Sequence, residues 1–195
     1  MKRLMDVVLA TLGLVLGFPL MVACALLVKV SSRGPVIFEQ ERIGRFGRPF
    51  MIKKFRTMRS ESTGLAITSS SDSRITTVGR WLRATKLDEL PQLINVIRGQ
   101  MSLVGPRPEV AKYVALWPAD ARAEILRVRP GMTDPAAIAF RRESELLAET
   151  EDPERYYVEK ILPQKVGFYR AYVSECSLLG DFKILLQTAS AVAKG

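Results

Sequence analysis

Residues 7–28 read VVLATLGLVLGFPLMVACALLV, an uncharged apolar run, and what this stretch does decides the rest of the molecule. As a helix rising about 1.5 Å per residue it reaches roughly 33 Å, enough for a hydrocarbon core of about 30 Å. Two features argue against an ordinary span. Phe18-Pro19 sits at the middle of the run, and basic residues flank both ends, Lys2 and Arg3 before it and Lys29 and Arg33 after it. Positive residues stay on the cytoplasmic side of a membrane. If both ends are held there, the segment enters and leaves by one face as two short helical arms, bent where the proline lacks an N–H and its ring clashes with the preceding turn. A kinked single-pass helix and a cleaved signal, or a lipoprotein signal ending at Cys24, are the competing readings, the signal weakened by Asp6 in its basic region.

Outward from this run, composition removes whole classes of chemistry. The chain of 195 residues has 29 Lys and Arg against 20 Asp and Glu, no histidine, and two cysteines, Cys24 and Cys176. Without histidine there is no Ser-His-Asp or Cys-His nucleophile and no HExxH metal site. Two distant cysteines make neither a zinc cluster nor a disulfide framework. The remaining reagents are carboxylates, Lys, Arg, hydroxyls and an oxygen-ligated metal. The net charge of +9 is local: residues 31–60 hold eight basic and two acidic side chains, while residues 111–195 balance. A patch built from Arg33, Arg42, Arg45, Arg48, Lys53, Lys54, Arg56 and Arg59 attracts nucleic acid, anionic headgroups or phosphorylated ligands alike.

Pro35 to Gln40 and Phe50 to Arg56 read as strands joined through a Gly44–Pro49 loop. Residues 57–77, rich in Ser and Thr, read as an exposed mobile loop. Helical patterns follow, the last over Leu178 to Ala193, whose Leu179, Phe182, Leu185, Leu186 and Ala189 fall at helical spacing. That stripe suits either closure of the core or a second contact with a membrane surface.

Between Thr85 and Gly99, Leu90, Leu93, Ile94 and Ile97 recur at i, i+3, i+4 and i+7, and Gly99 is a natural stop. A start at Leu87 or Asp88 leaves Pro91 in the free first turn and sets Asp88 and Glu89 at the positive end of the helix dipole. Acids there are routine caps. The surroundings point further: Arg83 lies five residues upstream, and Gly105-Pro106-Arg107-Pro108 forms a stiff loop presenting an arginine suited to bidentate capture of phosphate. Carboxylates, guanidinium groups and no histidine suit phosphoryl transfer with a Mg²⁺ held by few carboxylates and by substrate phosphates, a carboxylate serving as nucleophile where an acyl phosphate forms.

Four blocks in order carry a resemblance: Pro35 to Gln40 with Arg42, Gly44 and Gly47; Lys54 to Met58; Leu87 to Leu93 with Asn95 and Val96; and Met101 to Pro108. Together with the N-terminal run they resemble the bacterial sugar transferases, the monotopic phosphoglycosyl transferases, from Met1 to about Thr133. The length is similar to that of the small forms, which have only the catalytic core. The resemblance implies transfer of a phosphosugar from a UDP-sugar to a polyprenyl phosphate, usually undecaprenyl phosphate, with release of UMP, at the cytoplasmic face of the bacterial inner membrane. It implies that Asp88 attacks the sugar-linked phosphate and contacts Mg²⁺, and that Glu89 supports the metal or the acceptor. It also implies that Arg83 and Arg107 bind substrate phosphate, with Lys54 and Arg56 on the basic strand beside them. A re-entrant helix broken at Pro19 is part of the same pattern. The chain departs from that pattern twice: Phe18 stands where a Ser often precedes the break, and Asp134 to Arg142 replaces a block running from a Gly to Gln-Val-Asn-Gly-Arg, so no sugar identity carries across.

The expectation is therefore an α+β chain: a re-entrant membrane helix over 1–32 and a catalytic domain over 33–195, with a small β-hairpin, a helical core and interfacial amphipathic helices. Its partners are a UDP-sugar, undecaprenyl phosphate and a phospholipid bilayer, with no nucleic acid. Two alternatives remain, a membrane-tethered basic binding module and a phosphotransferase without a covalent intermediate. Only Phe38, Phe46, Phe50 and Phe55 interleave with the basic patch, too few to make a base-stacking surface.

Overall fold

The computed structural model describes residues 1–59 and 72–193. The chain is α+β. Helix α1 (Lys2–Ser31) leads into an antiparallel hairpin of β1 (Ile37–Ile43) and β2 (Pro49–Phe55), in register from Ile37↔Phe55 to Ile43↔Pro49. Then come α2 (Thr77–Ala84), a 3-10 turn over Leu87–Glu89, α3 (Gln92–Ile97), β3 (Ser102–Val104), α4 (Ala111–Val114) and α5 (Ala119–Ile125). Strand β4 (Gly131–Thr133) pairs with β3 in parallel, and is followed by α6 (Pro135–Ala139), α7 (Glu143–Ala148), α8 (Pro153–Tyr156), a π turn over Tyr157–Ile161, α9 (Leu162–Glu175) and α10 (Leu178–Ala193). Most of the Ser- and Thr-rich loop read at 57–77 lies outside the described residues. Its flanks meet, since Met58 bridges Ile75 and Thr76 N–H donates to Thr57 O at 3.0 Å.

Helix α1 is long and apolar enough to cross a membrane by length and composition. The expected break is absent from its secondary structure, for α1 runs without interruption through Phe18 and Pro19. A proline removes one donor from the ladder, and neighbouring turns carry the helix across the gap. One stripe of α1 packs on the rest of the chain at two places, on either side of an exposed middle that holds Val15, Leu16, Phe18 and Leu20. Ala10 joins Phe50, Ile52, Leu93 and Val96 in one apolar cluster, and Cys24 and Val28 join Phe55 and Leu82 in another. The opposite face, with Leu4, Leu12, Val15, Leu16, Phe18 and Leu26, is exposed.

Lys2 and Arg3, read as charges flanking the apolar run, are docked on the domain. Lys2 pairs with Asp181, and Arg3 donates to the Val96 and Ile97 carbonyls at 2.6 and 2.8 Å. At the other end Arg56 closes the helix, donating to Ser32 O at 2.6 Å and also to Pro35 O. A third cluster, with Tyr113, Trp117, Ile125, Leu147, Tyr157 and Tyr169, fills the body formed by α4 to α9. On α10 the apolar stripe splits: Leu185 is partly buried, whereas Leu179, Phe182 and Leu186 face outward. Of the two roles read for that stripe, the outward one fits more of its residues.

Candidate active site

Asp88 and Glu89 lie in the 3-10 turn between α2 and α3, not inside α3. Pro91 is the residue before α3, so the break that a proline imposes falls between the acids and the helix. The Thr85 hydroxyl donates back to Trp81 O at 2.9 Å and so caps α2, not the acids. Lys86 takes a left-handed conformation, φ +58°, to turn the chain out of α2 and into the acids. A six-residue α3 that begins beyond the acids gives them little dipole help. Their charge state is set by side chains instead.

Those side chains arrive from two directions. Strand β2 brings Lys54, whose ammonium donates to Glu89 Oε1 at 3.0 Å. Asn95, fully buried on α3, holds that strand: its amide oxygen accepts from Lys53 N–H at 3.1 Å, and its amide nitrogen donates to Met51 O at 2.8 Å. From the opposite side the loop after β3 brings Arg107, which grips both oxygens of Glu89, Nη1 lying 3.4 Å from Oε2 and Nη2 bonded to Oε1. The loop is rigid for a backbone reason. A Cβ on Gly131 would lie 2.1 Å from Gly105 N, so β3 and β4 approach where only glycine fits. Gly131 N–H then donates to Pro106 O at 2.9 Å, and Arg107 N–H to the Asp134 carboxylate at 3.1 Å.

The two acids are unlike. Burial opposes charge on Glu89, yet Arg107 and Lys54 overcome it and hold that carboxyl well below the usual range. Burial and then the Glu89 charge push Asp88 the other way, above the ordinary aspartate value, against a smaller pull from Lys54, Lys86 and Arg83. Asp88 is 6% exposed, and its Oδ1 is buried with no hydrogen-bond partner among the described residues. Lys54 is itself pulled down by burial, with Glu89 restoring part of the loss, while the Glu89 charge drives Arg107 up. The pair is thus one acid neutralised by two cations and one without a hydrogen-bond partner among the described residues.

Burial lowers the proton affinity of Arg83, in the last turn of α2, and Asp88 is close enough to restore part of it. Arg56 is not gathered with the acids, since its guanidinium faces the carbonyls that close α1. The rest of the basic patch is also largely engaged: Lys53 pairs with Glu39, Arg45 donates to Arg127 O at 2.7 Å, and Arg42 donates to Gln40 and to Glu109. Glu109 accepts in turn from the Tyr157 hydroxyl at 2.6 Å, where the π turn swings that ring inward.

A family model described as bacterial sugar transferase matches residues 1–195. The chain belongs to the bacterial sugar transferase family. Within that family it is 40% identical over 193 residues to UDP-glucose:undecaprenyl-phosphate glucose-1-phosphate transferase of Escherichia coli K12, covering 96% of this chain and 39% of the relative. A Caulobacter vibrioides protein of the same name is 40% identical over 191 residues, covering 96% of this chain and 67% of that one. The UDP-N-acetylgalactosamine-undecaprenyl-phosphate N-acetylgalactosaminephosphotransferase of Aeromonas hydrophila is 37% identical over 198 residues, which is 44% of its length. The chain therefore spans between about two fifths and two thirds of these sugar transferases.

Two residues of the site escaped the sequence reading. Asn95 stood in a motif block, and its signal was an amide on a helix otherwise facing apolar neighbours. Asp134 had the signature of a cap followed by proline at the first helical position, and it does cap α6, accepting from Ala137 N–H at 2.8 Å. Nothing in the sequence tied its second oxygen to the backbone of Arg107.

Proposed function

We propose that this chain transfers a phosphosugar from a UDP-sugar to undecaprenyl phosphate, through a covalent intermediate on Asp88 and with release of UMP. The observation that carries the reading is the asymmetry of the acids. A buried carboxylate whose proton affinity is raised, and whose Oδ1 has no partner among the described residues, is a strong nucleophile when ionised. Glu89, neutralised by Arg107 and Lys54, keeps those two cations in place beside it.

The chemistry balances without water. An Asp88 oxygen attacks the phosphorus that bears the sugar, the bond from that phosphorus to the bridging oxygen breaks, and the electron pair leaves with UMP. The acyl phosphate so formed is attacked by an oxygen of the lipid phosphate, and the Asp88 carboxylate departs. Arg107, Lys54 and Arg83 would receive the phosphate charge. Mg²⁺ fits the donor set: one carboxylate with an oxygen that no described residue engages suits an ion that takes its other ligands from substrate phosphates and water. Bound there, it would neutralise charge on the phosphoryl oxygens as they transfer.

The same reading puts the chain at the cytoplasmic face of the bacterial inner membrane, with α1 leaving by the face it enters. Docking of Lys2 and Arg3 at one end of α1 and of Arg56 at the other, all on one domain, supports it. The exposed apolar faces of α1 and α10 would meet lipid. A panel of UDP-sugars with undecaprenyl phosphate and Mg²⁺, followed for UMP release, tests the reaction. Intact-mass detection of a phosphosugar adduct that vanishes in Asp88→Asn tests the intermediate. UMP release with no adduct in rapid-quench samples would favour direct transfer, and no release with any donor would remove the reading.

A further inference from the structure

Lys2 and Asp6 are two of the four charged residues on α1, and both are directed at the strand that leads into the Arg107 loop. Strand β3 is short, pairing with β4 only at Ser102↔Gly131 and Val104↔Thr133. Its other edge faces α1 instead of a strand. There Asp6, 1% exposed, accepts from Leu103 N–H at 3.1 Å and from the Ser102 hydroxyl at 2.9 Å. Lys2 Nζ donates to Val104 O at 3.1 Å and pairs with Asp181, which is also 1% exposed. The Tyr172 hydroxyl closes the cluster, 3.0 Å from Val104 O and 2.8 Å from Asp181 Oδ1. Side chains of the membrane helix and of α9 and α10 thus do for this edge what a neighbouring strand would do.

The chain continues from Val104 directly into Gly105, Pro106 and Arg107, whose backbone is tied to β4 and Asp134. A shift of β3 against β4 would move the Arg107 guanidinium off Glu89. We propose that Asp6 and Lys2 are positioning residues for Arg107, so that the seated start of the membrane helix fixes the geometry of the phosphate-binding loop. The proposal rests on the reading that Arg107 receives substrate phosphate. Simple anchoring of α1 would cost stability alone, whereas positioning also changes how well the loop holds an anion.

The test uses the full chain in nanodiscs of anionic phospholipid, comparing wild type, Asp6→Ala and Asp6→Asn by hydrogen exchange over residues 102–108 and by titration with UMP. Asp6→Ala should speed exchange at Leu103, Gly105 and Arg107 and weaken UMP binding about tenfold, the equivalent of about 1.4 kcal/mol. Asp6→Asn, which keeps one acceptor, should fall between, and exchange in the β1–β2 hairpin should not change. Should Asp6→Ala fail to fold, Lys2→Gln and Tyr172→Phe each remove one partner of Val104 O and take its place in both measurements. Wild-type exchange and wild-type UMP affinity in these variants would overturn the proposal while leaving the transferase reading intact. If the wild-type chain binds no UMP, the reading of Arg107 falls and the exchange data alone decide whether α1 holds the loop.

Discussion

Replacing Glu89 by Gln keeps the shape of the side chain and removes its charge from between Lys54 and Arg107. Lys54 Nζ lies 3.0 Å from Glu89 Oε1, which at an effective dielectric of about 20 is an attraction on the order of 5 kcal/mol. Burial already pulls the Lys54 ammonium below the ordinary lysine range, and the Glu89 charge is the largest force opposing it. In Glu89→Gln that opposition goes, so Lys54 loses its proton at lower pH. Asp88 moves in the same direction, since the Glu89 charge is second only to burial in pushing it up. If Asp88 must be ionised and Lys54 charged for turnover, the acid and basic limbs of the pH–rate profile both move to lower pH. The assay is the initial rate of UMP release from about pH 5 to pH 10, wild type beside variant, with thermal unfolding as the control for folding. Limbs that superimpose on wild type, or that move to higher pH in a folded variant, would refute the assignment of charges.

Asp88→Asn should abolish UMP release while leaving the unfolding midpoint unchanged or higher, because a neutral amide suits a buried site that disfavours charge; differential scanning calorimetry in detergent reads this. Asn95→Ala removes the hydrogen bonds that hold the edge of β2 and should cost about 3 kcal/mol, or roughly 6–12 °C in midpoint, with turnover reduced through Lys54. Gly79→Ala places a Cβ 2.0 Å from Thr57 O, and a destabilisation of about 3 kcal/mol or more should appear as loss of folded protein from membrane fractions.

The apolar run, the hairpin and the last helix were legible because each follows from a local period or a local composition. Strand β1 runs three residues past its expected end at Gln40, where Glu41 and Arg42 break the apolar pattern but pair with Met51 and Phe50. The acids were legible as a pair, yet not as unequal partners. Their difference comes from Lys54 and Arg107, which lie 35 and 18 residues away in sequence. At Pro19 local chemistry argues for a break, while α1 keeps helical secondary structure across the proline, where its side chains are exposed and nothing packs against them among the described residues. Arg56 looked like substrate machinery because strand neighbours share a basic stretch, but its guanidinium reaches the nearest row of orphan carbonyls.

The grip of α1 on β3 also has an order in time. Asp6 is made 96 residues before Ser102, and Lys2 179 residues before Asp181. At roughly 5–20 residues per second of synthesis, Asp6 waits about 5–20 s for its partner and Lys2 about 9–36 s. During that interval the apolar helix has left the ribosome and its partners do not yet exist. On the membrane reading proposed above, the orientation of α1 in the bilayer is therefore chosen before the domain can hold it. On that reading the domain, arriving later, can lock only chains whose Lys2 and Asp6 lie on its own side, which makes the finished fold a check on an insertion event already over.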